Sequence, residues 1–298
     1  MLCVATLEGT ASVSELRAGS DIEGVFACTR KDRLTTKSGS PYLAVELRDR
    51  SGSVPARAFR DADFLAGQFD RGDLVVVSGR VERFRDELQV DLRSIRRAEA
   101  ADPATFLPIA YRDVDELEGF LEHLAREIYD SDLRALVDAF LGDEDFRGEL
   151  RRAPCTRAGH HAYLGGLLEH TVAVGTLALE TCVLHPRLNS DLLVSAALLH
   201  DIGKTREFEL GAAIELSEAG ALIGHVALGQ GLITERAGRL DQFPADKLHS
   251  LSHCVLSHHG AESLPGRRFR SAEALALYRL NALDAGVKGA LEHGLSPP

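Results

Sequence analysis

The chain has 298 residues, 45% of them hydrophobic, and a net charge of −11. That length suits about two domains with substantial cores, and no stretch approaches the roughly 18–20 apolar residues a membrane span needs. The acidic balance argues against a surface that binds polyanions everywhere, yet it is uneven: residues 1–100 hold 16 basic and 16 acidic side chains, so the whole deficit falls in residues 101–298.

The first residues, MLCVATLEGT, lack the basic and apolar regions of a secretory leader. Cys3, Cys28, Cys155, Cys182 and Cys254 are scattered and form no CxxC. Reduced thiols in a cytoplasmic protein are expected, with neither a disulfide framework nor a zinc ribbon.

Residues from about 20 to 97 have the composition and alternation of strands. "DIEGVFACTRKDRLTTKSGSPYLAVELRD" predicts two strands around a basic turn, and "SGSVPARAF" a short third. "DADFLAGQF" follows as a brief helix, and "DLVVVSGRVERFRDELQVDLRSI" as a closing hairpin. Five strands with a helix between the third and fourth is the order of an OB-fold barrel, a common oligonucleotide binder. The segment "RRAEAADPATFLPIAYRD" then reads as a linker. Beyond it the apolar period becomes helical in seven segments: "VDELEGFLEHLAREI", "DLRALVDAFL", "LGGLLEHTVAVGTLALET", "SDLLVSAALLH", "AGALIGHVALGQGLI", "DKLHSLSHCVLSHH" and "SAEALALYRLNALDAGV". The expected fold is therefore multidomain: a five-stranded barrel over 1–97, a linker over 98–112 and an all-α domain over 113–298.

Ionisable residues interrupt the apolar faces of these helices. On a wheel of about 100° per residue, His170 shares a face with Leu167 and Val174, and His200 and Asp201 end an apolar stripe. His225 sits with Leu222 and Leu228, His258 continues Leu248, Leu251 and Val255, and Asp284 follows Leu277 and Leu280. A lone histidine on such a face is more often a hydrogen-bonded core residue. Six such groups on five helices would each need a buried partner, and a shared metal centre satisfies them together. Imidazole and carboxylate donors without thiolate suit manganese, iron, cobalt or zinc in a catalytic site. Asp201 has two oxygens and could bridge two ions.

The series H…HD…H…H…D resembles the HD-domain metal-dependent phosphohydrolases. "HHAYLGGLLEHT", "LLHDIGK", "GHVALG" and "LSHHG", behind a barrel and an "FLP" linker, resemble the YhaM-type 3′→5′ exoribonucleases over about residues 20–290. The resemblance implies a first metal on His170, His200, Asp201 and Asp284, and a second on His225 and His258 with Asp201 shared. His259 is open between ligand and phosphate contact. His249 and His253 are assigned to packing or to a supporting shell.

Two divalent ions per chain, manganese before iron, cobalt or zinc, are expected to activate water for phosphodiester hydrolysis. Lys204 is expected to meet a phosphate oxygen, its plain alternative being a solvated cation at a helix end. On one continuous helix His161 would face away from His170, so it is assigned to the substrate side or to proton donation. Single-stranded RNA is the expected partner, with single-stranded DNA open, no membrane, and a homo-oligomer allowed. Arg30, Lys31, Arg33, Lys37, Phe84 and Arg85 of the barrel are candidates to hold it, with Tyr42 and Phe59 weaker ones. Arg267 and Arg268 are candidates for the trailing backbone. Two competing functions are a signalling-nucleotide phosphohydrolase with a regulatory barrel, and a non-enzymatic nucleic-acid-binding protein.

Overall fold

A computed structural model describes residues 12–36, 38–98 and 106–295. Lys37 and Cys3 lie outside them. By contacts the chain divides into two compact units, one ending at Pro108 and also taking in Leu210–Ile214, the other formed by the remainder.

The first unit is a closed barrel. Its strands are β1 (Asp21–Thr35), β2 (Pro41–Asp49), β3 (Gly52–Ala58), β4 (Leu74–Phe84) and β5 (Glu87–Arg97), with α1 (Ala62–Ala66) between β3 and β4. They close in the order β1-β2-β3-β5-β4. Every neighbouring pair is antiparallel except β3 with β5, where Ala56 faces Val90. Alternate residues fill the interior, as the strand period requires: Ile22 and Phe26, Leu43 and Leu47, Val54 and Ala56, Val75, Val77 and Val81, then Val90 and Ile95. Arg85 and Asp86 both take positive φ, 50° and 67°. Positive φ at both central residues is the two-residue hairpin turn whose twist suits its strands, and it sets Phe84 at the tip of β4.

The second unit is helical, and a small hairpin leaves it at Leu210–Ile214, the segment counted with the first unit. Its elements are α2 (Val114–Arg126), α3 (Ser131–Leu141), α4 (Glu144–Arg152), α5 (Gly166–Leu184), α6 (Ser190–Leu199), α7 (Lys204–Glu207), the hairpin β6 (Phe208–Leu210) and β7 (Ile214–Leu216), α8 (Glu218–Ile223), α9 (His225–Ala237), α10 (Ala245–Leu256) and α11 (Ala272–His293). Side chains cap many of the starts: Asp113, Asp130, Asp143, Asn189, Ser217 and Ser271 each accept from a backbone N–H of the first turn. α6 is buried all round from Leu192 to Leu199 and packs against α5, α10, α11 and α3.

Several sequence expectations change here. Residues 144–152 form α4, which no apolar period announced because only Phe146 and Leu150 turn inward. The single helix expected over 219–233 is broken at Gly224, where φ 77° and ψ 157° let α9 start in a new direction. α5 is long and apolar enough to cross a membrane by length and composition alone, although no such stretch was expected; 56% of it is buried within the protein. It packs against α2, α6 and α11, as a core helix does.

Candidate metal centre

The expected ligands come together around Asp201. α5 carries His170 one turn from its start. α6 ends at His200, and the turn that follows holds Asp201. His225 opens α9, His258 follows α10 and Asp284 lies on α11. Glycine makes this approach possible at two places. A Cβ on Gly203 would stand 2.0 Å from the His225 carbonyl oxygen, so only glycine lets the start of α9 rest on the turn after Asp201. A Cβ on Gly166 would stand 2.2 Å from the His161 carbonyl, so the loop before α5 folds back onto its first turn. That loop, not a continuous helix, holds His161. Its ring centroid lies 5.5 Å from that of His170, contrary to the opposite faces expected.

Asp201 is almost wholly buried, and its two oxygens face different histidines. Oδ2 lies 3.5 Å from His170 Nε2 and 3.4 Å from His200 Nε2. Oδ1 lies 3.4 Å from His225 Nε2 and 3.3 Å from His258 Nε2. The other nitrogen of each ring is tied to an acceptor. His200 Nδ1 donates to the Ala197 carbonyl at 2.8 Å and His258 Nδ1 to the Val255 carbonyl at 2.6 Å. His225 Nδ1 donates to Glu207 Oε1 at 3.0 Å and His170 Nδ1 to Asp284 Oδ2 at 2.6 Å. With Nδ1 bonded in this way, each ring turns Nε2 toward the carboxylate.

Imidazole nitrogens and carboxylate oxygens converging in this way form a donor set that one or more cations would satisfy together. Asp201 Oδ1 and His258 Nε2 are buried without any hydrogen-bond partner. Donors about 2.0–2.2 Å from one ion stand about 3–3.5 Å apart, the spacing seen here. The residues fit a divalent metal. Two groups that share Asp201 each have donor atoms within 4.8 Å of one another: His170, His200 and Asp201, and Asp201, His225, His258 and His259. Asp284 acts on the first group through the far nitrogen of His170. Asn281, not anticipated, brings its carbonyl oxygen to 3.0 Å from His170 Nε2 and donates to the His258 carbonyl at 3.3 Å.

Lys204 is neither solvated nor at a helix C-terminus. It opens α7, is buried, and places Nζ 2.7 Å from Asp201 Oδ2 and 3.4 Å from Cys155 Sγ. Burial alone would raise the Asp201 carboxyl, but the Lys204 ammonium and His200 hold it well below the usual carboxylate range. Burial opposes the Lys204 charge, and Asp201 outweighs it, raising the ammonium above its ordinary value. Burial lowers His161 and His259 to about 3, so both rings are neutral near pH 7, the form a metal ligand needs. The same value disfavours His161 as a proton donor. His259 Nε2 lies 2.9 Å from His225 Nε2. His253 stands apart, accepting from the Arg270 N–H at 3.0 Å, and His249 is exposed.

The barrel candidates divide into two sets. Arg30 pairs with Asp32 at 2.6 Å and Arg33 with Asp63 at 3.2 Å. Lys31 folds over Phe69 and donates to its carbonyl, which leaves little of it exposed. Tyr42 and Phe59 stack with centroids 5.3 Å apart. Arg57, overlooked in the sequence, lies 5.7 Å from the Tyr42 centroid and 5.4 Å from that of Phe84, and Arg85 lies 5.3 Å from Phe84. Phe84 and Phe59 are 48% and 51% exposed, so this is a surface of aromatic faces and guanidinium groups. In the helical unit Arg267 and Arg268 are exposed.

Comparison with known proteins matches residues 26–98 to an OB-fold nucleic acid binding domain and residues 167–286 to the HD domain. The two domains are an OB-fold and an HD domain. The combination is homologous to the 3′-5′ exoribonucleases YhaM. The Oceanobacillus iheyensis protein is 29% identical over 81% of this chain and 76% of its own length. That of Listeria innocua is 26% identical over 92% and 88%. The second OB-fold domain of replication protein A from Methanococcus maripaludis is 20% identical, with a TM-score of 0.25, covering 30% of this chain and 96% of that one. The HD domain accordingly contains the His–Asp cluster, and the OB-fold contains the aromatic surface.

Proposed function

We propose that this protein is a metal-dependent 3′→5′ exoribonuclease that hydrolyses single-stranded RNA. The observation that carries the reading is the Asp201 carboxylate, with one oxygen toward His170 and His200 and the other toward His225 and His258. A carboxylate set between two groups of imidazoles could serve two ions, the arrangement that two-metal phosphoryl chemistry would use. Homology to the YhaM exoribonucleases over most of both chains supports the substrate class.

His170, His200 and Asp201 would hold one ion, and His225, His258 and His259 the other with Asp201 shared. Bound divalent ions supply a water of lowered pKa and stabilise charge at phosphorus. The chain's own groups prepare that chemistry. Glu207 and Asp284 fix the rings of His225 and His170, while backbone carbonyls fix His200 and His258. Lys204 neutralises part of the carboxylate charge and would meet a non-bridging phosphate oxygen. Arg267 and Arg268 would hold the trailing backbone. On the barrel, Tyr42, Phe59 and Phe84 would stack bases while Arg57 and Arg85 meet phosphates, as in single-strand binding by aromatic platforms.

The test is 5′-labelled single-stranded RNA incubated with the protein and Mn²⁺. A ladder shortening from the 3′ end is expected. Intact RNA alongside hydrolysis of free or signalling nucleotides would overturn the assignment.

A further inference from the structure

Between α4 and α5 the chain makes a tight loop whose histidines the centre around Asp201 does not use. The Cys155 N–H donates to the His161 carbonyl at 3.0 Å, closing the loop on itself. Inside it Thr156 Oγ1 accepts from the Gly159 N–H at 2.9 Å and donates to the His160 carbonyl at 2.8 Å. His161 has φ 53°, a region uncommon for a residue of that size. Such conformations persist where the surroundings impose them. Here the Glu292 carboxylate accepts from the His161 N–H at 3.0 Å and helps to impose it.

The outcome is a cluster of four soft and borderline donors. His160 Nδ1 and His161 Nδ1 face each other at 3.2 Å. The His160 and His161 ring centroids lie 5.6 and 5.5 Å from that of His170. Cys155 Sγ and one nitrogen from each of His160, His161 and His170 all lie within 4.8 Å of one another. Cys155, His161 and His170 are buried. Cys155 Sγ lies 3.4 Å from Lys204 Nζ and 3.9 Å from Asp201 Oδ2, and burial pushes the thiol up to about 12, so it is metal binding that would take its proton.

One thiol and three imidazoles make a tetrahedral zinc-class set. It differs in kind from the carboxylate-containing centre beside it, because thiolate favours zinc over harder ions such as manganese. His170 belongs to both groups. We propose that Cys155, His160, His161 and His170 form a separate zinc-binding site, and that zinc held there withdraws His170 from the centre around Asp201. Zinc enters as the Cys155 thiol gives up its proton to solvent, so one proton leaves the thiol for each ion bound. Zinc thereby switches off the hydrolase; this consequence, unlike the binding, rests on the proposed exoribonuclease reading.

The test begins with full-length protein stripped of metal and titrated with Co²⁺ as a spectroscopic substitute for zinc. A sulfur-to-cobalt charge-transfer band is expected, present in Cys254→Ser, absent in Cys155→Ser, and abolished in the unaltered protein by added Zn²⁺. If Cys155→Ser does not fold, His160→Ala serves instead, with zinc affinity expected to fall at least about tenfold. Absence of the band from the unaltered protein, its persistence in Cys155→Ser, or unchanged zinc affinity in His160→Ala overturns the site, whether or not RNA is cleaved. In the activity arm, Zn²⁺ is expected to inhibit Mn²⁺-supported RNA cleavage, with the inhibitory concentration raised at least about tenfold in Cys155→Ser. An unchanged inhibitory concentration in a variant that has lost the band overturns the switch.

Discussion

Glu207 holds His225 twice: its Oε1 accepts from the His225 backbone N–H at 3.1 Å and from the ring Nδ1–H at 3.0 Å. The first bond anchors the start of α9. The second selects the tautomer that turns Nε2 toward Asp201. Removing a partner that orients a metal-binding histidine weakens metal binding about 10–100-fold. Glu207→Ala should lower Mn²⁺ affinity in that range in a calorimetric titration, with Glu207→Gln in between. Affinity equal to that of the unaltered protein would remove Glu207 from the account.

The Asp201–Lys204 pair makes a second prediction, about stability. In metal-free protein, Asp201→Ala leaves a buried ammonium without its counter-charge, a loss of about 3–5 kcal/mol. Adding Lys204→Met to the same chain should recover much of it, while RNA cleavage stays abolished in both. Denaturant unfolding measures this directly, and a double variant no more stable than Asp201→Ala alone would contradict the pairing.

For the barrel, each base stacked on an aromatic ring contributes about 1–3 kcal/mol. Phe84→Ala and Arg57→Ala should each weaken single-stranded RNA binding, more for long strands than for short ones. Hydrolysis of a nitrophenyl phosphodiester should not change. Equal losses on both substrates would mean that these residues act on catalysis and do not hold the strand.

Acid should destabilise the metal-free protein in a particular window. Burial is the main cause that takes His160 to about 4, and His161 and His259 to about 3, against about 6.5 in an unfolded chain. Below pH 6.5 the unfolded chain therefore binds protons that the folded one refuses, and stability falls with pH until the folded values are reached. The melting temperature should be highest above pH 6.5 and drop steadily toward pH 4. A melting temperature that is flat or rising on acidification would show that these rings are not held neutral.

His170, His200, Asp201 and His258 were legible because each breaks an apolar stripe, and the barrel because its alternation and turns are local. The stripe expected for His225 does not exist, since Leu222 lies on α8 across the Gly224 break and is exposed. Other parts left little trace. Glu207 sits in "KTREFEL", whose charges resemble any solvated segment, and nothing there shows that its carboxylate turns inward to His225. Cys155 and His160 lie in an irregular loop, where periodicity says nothing about side-chain direction. Arg57 faces Tyr42 and Phe84 only because β3 lies beside β2 and closes onto β5, a relation set by barrel closure. The break at Gly224 hides within a good helical pattern, since one glycine is ordinarily tolerated in a helix.

The hydrogen bond between His170 and Asp284 spans 114 residues. A ribosome adding roughly 5–20 residues per second therefore finishes α5 many seconds before α11 exists to meet it. During that interval an apolar helix waits without one of its covering partners, and His170 without the carboxylate that sets its tautomer. Metal loading at the complete centre thus waits until α11 has been made. Cells starved of the ion should accumulate finished apoprotein, and folding during synthesis should not depend on the ion's supply.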